Sequence, residues 1–450
     1  MENSLQQKKL QKIAVIGLGK LGACIAACLG ARGFDVIGTD VDTLKIEQLG
    51  QGKAPVDEPK LQEAIEQGRS KIRTTADWRE LVEHSEVAFF IVPTPSLPDG
   101  SFTNEFLLKA VRQVAESVRD LKKRNYLFVI NSTVTPGSCD DVFRPVMEQV
   151  LGGKWGQDFG VCYNPEFIAL GDVIKGLLQP DFVLVGESDA ASGDALEQLY
   201  RRFCVNHAPI QRMNIINAEL AKISVNCAVT MKISFVNQLS GVCSKIPSAD
   251  AQVILQALGN DRRIGKEYLK PGLGFGGPCF PRDNRLFQYI AKRVGSEAPL
   301  AEATDRINDK TNARLLQTVL AHSPQDKPVS ILGLAYKPFS NVTECSPGLW
   351  LCQQLVQRNQ RVLAHDYMVT PADISHVSHN QVQFCANPAD LLQGDSGTFV
   401  ITCPWPAYKD LFALKVADRP ARETVVIDPW RLLDGIATWS PSMKHLVVLN

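Results

Sequence analysis

Residues 12–22 read KIAVIGLGKLG, an apolar strand running straight into glycines spaced G-x-G-x-x-G at Gly17, Gly19 and Gly22. Few short stretches restrict a fold as much. A buried strand, a very tight turn and an immediate helix are completed by a second strand parallel to the first, because the helix serves as the crossover. FDVIGTD supplies that strand and ends in Asp40, about twenty residues beyond the glycines, as a dinucleotide-binding unit requires. The first glycine allows the turn, the second lets backbone approach a pyrophosphate, and the third permits close packing of helix on strand. The helix N-terminus then presents oriented N–H groups to the anion. A carboxylate at Asp40 accepts from a ribose 2′-hydroxyl and repels a 2′-phosphate, so the motif predicts NAD rather than NADP. The bland alternative is a glycine turn that binds nothing. Agreement of strand, glycines, helix and Asp40 argues against it.

The strand rhythm continues through EVAFFIVPTP, LFVINSTV and DFVLVGE. Strands buried on both faces read as continuous apolar runs of this kind. After SPQDKPVS the rhythm restarts with VSILGLAYKP, RVLAHDYMV, TFVITCPWP and TVVIDPWR, echoing the N-terminal half. Between Pro209 and Pro247 there is no proline and the first glycine is Gly241, which predicts one long helix of the kind that often carries a dimer interface. The expected class is α/β: two Rossmann-like open parallel-sheet domains joined by a long central helix and a helical middle domain. The boundaries read as 1–208 for an NAD-binding domain, 209–325 for the middle and 326–450 for the second sheet.

A chain of 450 residues, 45% hydrophobic, is long enough for two or three such cores. Its formal net charge of zero gives no electrostatic reason for a nucleic-acid or membrane-surface partner. No apolar run is long enough to span a bilayer, and MENSLQQKKLQK is not followed by the apolar stretch of a secretory leader. The twelve cysteines include no C-x-x-C pair and the seven histidines are scattered, so neither a disulfide framework nor a metal site is expected. A reducing cytoplasm fits this usage.

One cysteine stands apart. Cys279 lies in GLGFGGPCFPRD, residues 272–283, where four glycines in six residues demand either a sharp turn or a close neighbour. A nicotinamide site together with such a thiol points to aldehyde-level chemistry. The thiolate adds to an aldehyde, oxidation leaves a thioester, and water releases an acid. That chemistry needs a donor for an oxyanion and a carboxylate to handle water. Lys222 and Asn226 stand i,i+4 on the long helix and share one face. Asp283 lies four residues beyond Cys279, and Glu166 sits in YNPEF. Spacing does not bring these together. Taken singly, Lys222 and Asn226 read as a solvated face and Glu166 as a surface loop. The other eleven cysteines read as inert thiols.

The ordered segments GLGKLG, APVDEP, VPTPSLPDG, STVTPG, YNPEF, NAELAKISVN, NDRRIG, GFGGPCFPRD and GLAYKP resemble the nucleotide-sugar 6-dehydrogenase family, of UDP-glucose and GDP-mannose 6-dehydrogenase type. The resemblance runs from Lys12 to near the C-terminus. It implies that Cys279 is the nucleophile, and that Lys222 and Asn226 hold the sugar's 6-oxygen and its oxyanion. Asp283 then orients water or supports the lysine, and Thr133 with Glu166 assists thioester hydrolysis. On the cofactor side it adds Lys20, Leu21, Pro93, Thr94, Ser132 and Thr133 to Gly17, Gly19, Gly22 and Asp40. For the substrate it implies Glu166, Phe167, Lys222, Asn226, Tyr268, Gly274, Phe275, Gly276 and Lys337. Arg263 in this family reaches a substrate on the neighbouring subunit, which implies at least a homodimer. The implied reaction is a four-electron oxidation of a C6 alcohol to a carboxylate with two NAD, UDP-glucose being the default sugar.

Departures from the family pattern cluster on recognition. Leu170 stands in place of a second acidic residue, and Arg282 in place of a lysine. YKPFSNVTECSP puts Phe339 for an aspartate and Glu344-Cys345 for Arg-Glu, while DPWR, Asp428 to Arg431, replaces a DGRN-like segment. A glutamate near a pyrophosphate repels it, and Arg431 offers a replacement charge from a shifted position. Two other readings stay open at this stage. One is a two-electron β-hydroxyacid or polyol-phosphate dehydrogenase, which needs no cysteine. The other is a non-catalytic nucleotide-sugar-binding relative.

Overall fold

The computed structural model describes residues 9–168, 170–375, 382–415, 423–436 and 443–446; residues 1–8, part of the segment read above for a leader, lie outside them. The chain divides into two compact units, Met1–Ser224 and Val225–Asn450.

The first unit is built on eight strands: β1 (Lys12–Ile16), β2 (Asp35–Thr39), β3 (Ile72–Thr74), β4 (Val87–Phe90), β5 (Leu127–Ile130), β6 (Gly160–Tyr163), β7 (Val183–Glu187) and β8 (Ile210–Asn214). Their order in the sheet is β3-β2-β1-β4-β5-β6-β7-β8. All neighbours run parallel except β6 and β7. The continuous apolar runs have a direct cause. Along β1, Ile13 and Val15 enter one core with helix Lys20–Ala31, while Ala14 and Ile16 enter the opposite core with helix Glu105–Asp120. Successive side chains point to opposite faces, so a sheet covered on both sides needs apolar residues at every position.

The second unit carries six strands: β9 (Val329–Leu332), β10 (Val362–His365), β11 (Val382–Phe384), β12 (Thr398–Ile401), β13 (Thr424–Ile427) and β14 (Met443–Leu446). They are ordered β11-β10-β9-β12-β13-β14, all parallel. The first six strands of the first sheet follow the same order, so the echo between the two halves is a repeat of topology. Helices Ala251–Gly259, Phe280–Arg293 and Pro299–His322 precede this sheet. The predicted long helix is present as Ile215–Cys243, 29 residues, and its length contains the boundary between the units. Immediately before it, IQRMN pairs with β7 as the eighth strand of the first sheet. Its mixed polar sequence carries no strand signal.

Candidate active site

In an open parallel sheet, ligands bind beyond the carboxyl ends of the strands where the order reverses. In the first unit that point lies between β1 and β4. Gly17 follows β1 with φ +96°, and a Cβ there would collide with the Ile91 carbonyl oxygen just past β4. A Cβ on Gly22 would collide with the Gly17 carbonyl oxygen. At Gly19 the Cβ position has nothing within 4 Å. The middle glycine, expected to let a pyrophosphate approach, thus faces open space at the start of helix Lys20–Ala31, which has no side-chain cap.

Asp40 closes the cradle. Its Oδ2 accepts the Leu18 N–H at 2.5 Å and its Oδ1 the Asp42 N–H at 2.9 Å. These contacts leave acceptor capacity for a ribose hydroxyl. Just past β4 and β5, the exposed Pro93, buried Thr94 and Ser132, and half-buried Thr133 gather beside it. Ser132 Oγ donates toward the Val92 carbonyl at 2.8 Å, and Thr94 Oγ1 donates to the Thr133 carbonyl at 2.6 Å. Lys20 and Leu21, half-buried, open the helix. The residues present therefore fit a dinucleotide. The second sheet repeats the loop with Gly333 at φ +109° and Asp366 at the end of β10. There Asp366 accepts four backbone N–H groups, from Leu334, Ala335, Met368 and Val369. Its oxygens are engaged by the fold itself, which marks it as structural.

A second cluster in the first unit surrounds Glu166. Lys222 Nζ donates to the Glu166 carbonyl oxygen at 2.5 Å and lies 4.8 Å from the centre of the Phe167 ring. The Glu166 carboxyl is pushed up to about 7 by burial, opposed by a hydrogen bond from Tyr200 and the charge of Lys222. Tyr200 Oη lies 3.2 Å from Glu166 Oε1 and 2.5 Å from Asn164 Oδ1. Asn164 is anchored in turn by its Nδ2 on the Leu184 carbonyl at 2.8 Å. A carboxyl that titrates near neutrality suits general acid–base work. Sequence reading missed Tyr200 because it lies 34 residues downstream on helix Ala190–Phe203, with no local motif. Asn164 had a signal, since it sits two places before Glu166 in YNPEF.

The third cluster belongs to the second unit. Cys279 is exposed and occupies the N-cap of helix Phe280–Arg293, whose oriented N–H groups favour negative charge at that end. Proline at position 281 fits the first turn. Asp283, fully buried, accepts from Asn226 Nδ2 at 2.6 Å and from Arg282 Nε at 3.3 Å. Asp283 thus fixes the Asn226 amide. The other thiols behave as expected of packing groups: burial pushes Cys28 and Cys352 up to about 12, and Cys139 and Cys162 well above their ordinary value. Cys345 differs in being exposed.

The loop before Cys279 carries Tyr268 at φ +59° and Phe275, whose rings each meet Phe280 at 6.4 Å. Gly274 and Gly276 are buried, and half-buried Lys337 lies 5.8 Å from the Tyr336 ring centre. Arg263 is apart from this group: it is 88% exposed at the side chain and pairs with Asp261 in its own turn. Arg431, read above as a replacement charge, already has a carboxylate partner. Its guanidinium pairs with Asp250 at 3.0 Å. Glu344 is exposed, and its carbonyl accepts the Gly277 N–H at 2.9 Å. Among the described residues no group of three or more histidine, cysteine, aspartate or glutamate side chains is placed to hold a metal, and no helix is long and apolar enough to cross a membrane.

Three successive segments match one family: the UDP-glucose/GDP-mannose dehydrogenase family NAD binding domain at residues 11–204, its central domain at 216–310 and its UDP binding domain at 330–435. A GDP-mannose 6-dehydrogenase of Pseudomonas putida is 33% identical over 376 residues, covering 83% of this chain and 84% of that protein. A UDP-glucose 6-dehydrogenase of Haloferax volcanii is 30% identical over 426 residues, covering 94% and 97%. Among solved structures, a UDP-glucose dehydrogenase from Pyrobaculum islandicum superposes with a TM-score of 0.85 at 29% identity, covering 96% of this chain and 99% of that one.

Proposed function

The chain belongs to the UDP-glucose/GDP-mannose dehydrogenase family, and from that premise we propose that it oxidises the C6 alcohol of a nucleotide sugar to the acid through a thioester on Cys279. It is an NAD-dependent nucleotide-sugar 6-dehydrogenase. Gly17, Gly19, Gly22, Asp40, Thr94 and Ser132 are the residues that would hold NAD, and NAD when bound supplies the hydride acceptor for both oxidations.

The chain's own groups divide the remaining work. The Lys222 ammonium and the Asn226 amide, one helical turn apart, stabilise the developing alkoxide at O6. Asp283 keeps that amide facing its task by taking one of its N–H bonds. Cys279 as thiolate forms a C–S bond to the aldehyde carbon, and oxidation of the adduct leaves the thioester. Glu166 as carboxylate takes a proton from water, whose oxygen attacks the thioester carbon. The C–S bond breaks, the thiolate returns and the acid departs. Thr133 assists this water. Retaining the aldehyde protects it from solvent and amines.

The observation that carries this reading is an exposed thiol capping a helix one turn above a buried carboxylate that is bonded to Asn226. A two-electron alcohol dehydrogenase has no use for that arrangement, nor has a binding protein. UDP-glucose is the proposed substrate, supported by the UDP binding domain and by the fold shared with a UDP-glucose dehydrogenase. GDP-mannose is the second reading, because a relative bearing that name matches at 33% identity. The three-part division 1–208, 209–325 and 326–450 is proposed with it, the first boundary shifted past β8 at Ile210–Asn214, as is work in the cytoplasm, which the scattered thiols support. A homodimer or larger assembly is supported by an apolar stripe on the long helix and the turn after it: Met231, Phe235, Val242 and Ile246 are exposed.

The test is turnover on UDP-glucose, GDP-mannose and their N-acetylated counterparts with the product identified. Formation of the uronic acid from one of them, abolished in Cys279→Ser, is the expected result. An aldehyde product, or acid formation that survives the substitution, overturns the thioester route.

A further inference from the structure

Gly272, Gly274, Gly276 and Gly277 were read as demanding a sharp turn or a close neighbour. In the folded chain each has protein where its Cβ would be. At Gly272 a Cβ would lie 2.6 Å from Cε3 of Trp430, and at Gly277 it would lie 2.6 Å from Cε2 of Tyr336. At Gly274 it would lie 2.6 Å from Asn312 Oδ1, and at Gly276 it would collide with the Cys345 carbonyl oxygen. The loop is therefore pressed against the two segments that depart most from the family pattern, 336–345 and 428–431.

Polar clamps hold it on the helical side. Asn237 donates its Nδ2 to the Leu273 carbonyl at 3.0 Å, and Asn308 accepts the Phe275 N–H at 2.7 Å while donating to the Phe275 carbonyl at 3.0 Å. Trp430 is itself braced. Buried Asp428 accepts the Trp430 N–H at 3.2 Å and the Leu433 N–H at 2.8 Å, and neighbouring Arg431, at φ +53°, is tied to Asp250 at 3.0 Å. The Trp430 indole N–H is buried without a hydrogen-bond partner among the described residues. Its contact with the loop is thus one of shape, since an indole N–H that mattered for bonding would have an acceptor.

We propose that Trp430 is a positioning residue: its ring fixes the course of residues 272–277 and so the placement of the nucleotide sugar and of Cys279 beyond it. The inference rests on the reading of this loop as the one that lies along the substrate. A rigid wall behind a glycine-rich loop removes freedom that the loop would otherwise lose on binding, and displacement of about 1 Å at a reacting group can cost roughly a hundredfold in rate.

The experiment is a double-mutant cycle on Gly272 and Trp430, read by the KM for each substrate, by calorimetric binding of UDP-glucose and GDP-mannose, and by melting midpoint. Trp430→Ala should raise the KM for the nucleotide sugar by about tenfold or more and lower kcat, with the KM for NAD unchanged. Trp430→Phe should recover most of the loss, because the ring acts by shape. Gly272→Ala should be deleterious in the natural background and nearly neutral in Trp430→Ala, where its methyl meets no ring. Equal changes in both KM values, or a lowered midpoint with sugar binding and KM intact, would overturn the proposal and leave Trp430 a fold residue. A natural protein that neither binds nor oxidises any of these sugars refutes the substrate-loop reading first, and the inference with it. Binding that is intact and equal in Trp430→Ala refutes the inference alone.

Discussion

At the scale of single residues, the chemistry depends on where protons sit. A carboxylate acts as a base only when ionised, and burial holds Glu166 up at about 7 rather than in the ordinary carboxylate range. Acid formation should therefore fall by about tenfold per pH unit below that value and level off above it. The hydrogen bond from Tyr200 favours the ionised form, so Tyr200→Phe should move the acid limb to higher pH. Movement to lower pH would mean that Tyr200 gives its proton to Asn164 at 2.5 Å and that neutral Glu166 is the donor between them. The pairing of Asn226 with Asp283 was not readable from spacing, since 57 residues separate them. That of Lys222 with the Glu166 carbonyl was hidden for the same reason. Residue identities announce chemistry, whereas the partners that tune them come from tertiary folding.

At the scale of elements, the glycine motif makes a paired prediction. Gly19→Ala adds a methyl group to open space, so the fold should keep its melting midpoint while the KM for NAD rises by roughly tenfold. Gly22→Ala drives a methyl into the Gly17 carbonyl, so it should destabilise the first unit by roughly 2 kcal/mol or more. Thermal melts and NAD titrations on both variants separate the two roles; a Gly19→Ala protein with unaltered NAD affinity would contradict the assignment. The same elements show what was legible. Strands β1, β4 and β5 declare themselves because nearly every position is apolar, and β2 and β7 because their apolar residues are consecutive. The sequences of β3 and β14, IRT and MKHL, do not, because each is short and only its first residue is buried. The long helix was visible through its lack of proline. Its partners within the fold were not, since Lys222 and Asn226, the residues that meet Glu166 and Asp283, are polar and carry no apolar periodicity.

At the scale of the whole molecule, two sheets of one strand order serve different ends. Asp40 retains acceptor capacity, while Asp366 is engaged by four backbone N–H groups, so one chain should bind one NAD. The exposed apolar stripe through Phe235, itself 51% exposed, predicts self-association. Light scattering should report at least a dimer for the natural protein and a smaller species for Phe235→Glu, with activity falling alongside if Arg263 serves a neighbouring subunit. A fully active monomer would refute that reading. The chemistry centres on Cys279, and the measurement that tests it is the number of NADH formed per sugar consumed under limiting UDP-glucose or GDP-mannose. Two are expected, with acid as the product and no acid from Cys279→Ala. One NADH per sugar, unchanged by that substitution, would contradict it and make the chain a simple alcohol dehydrogenase.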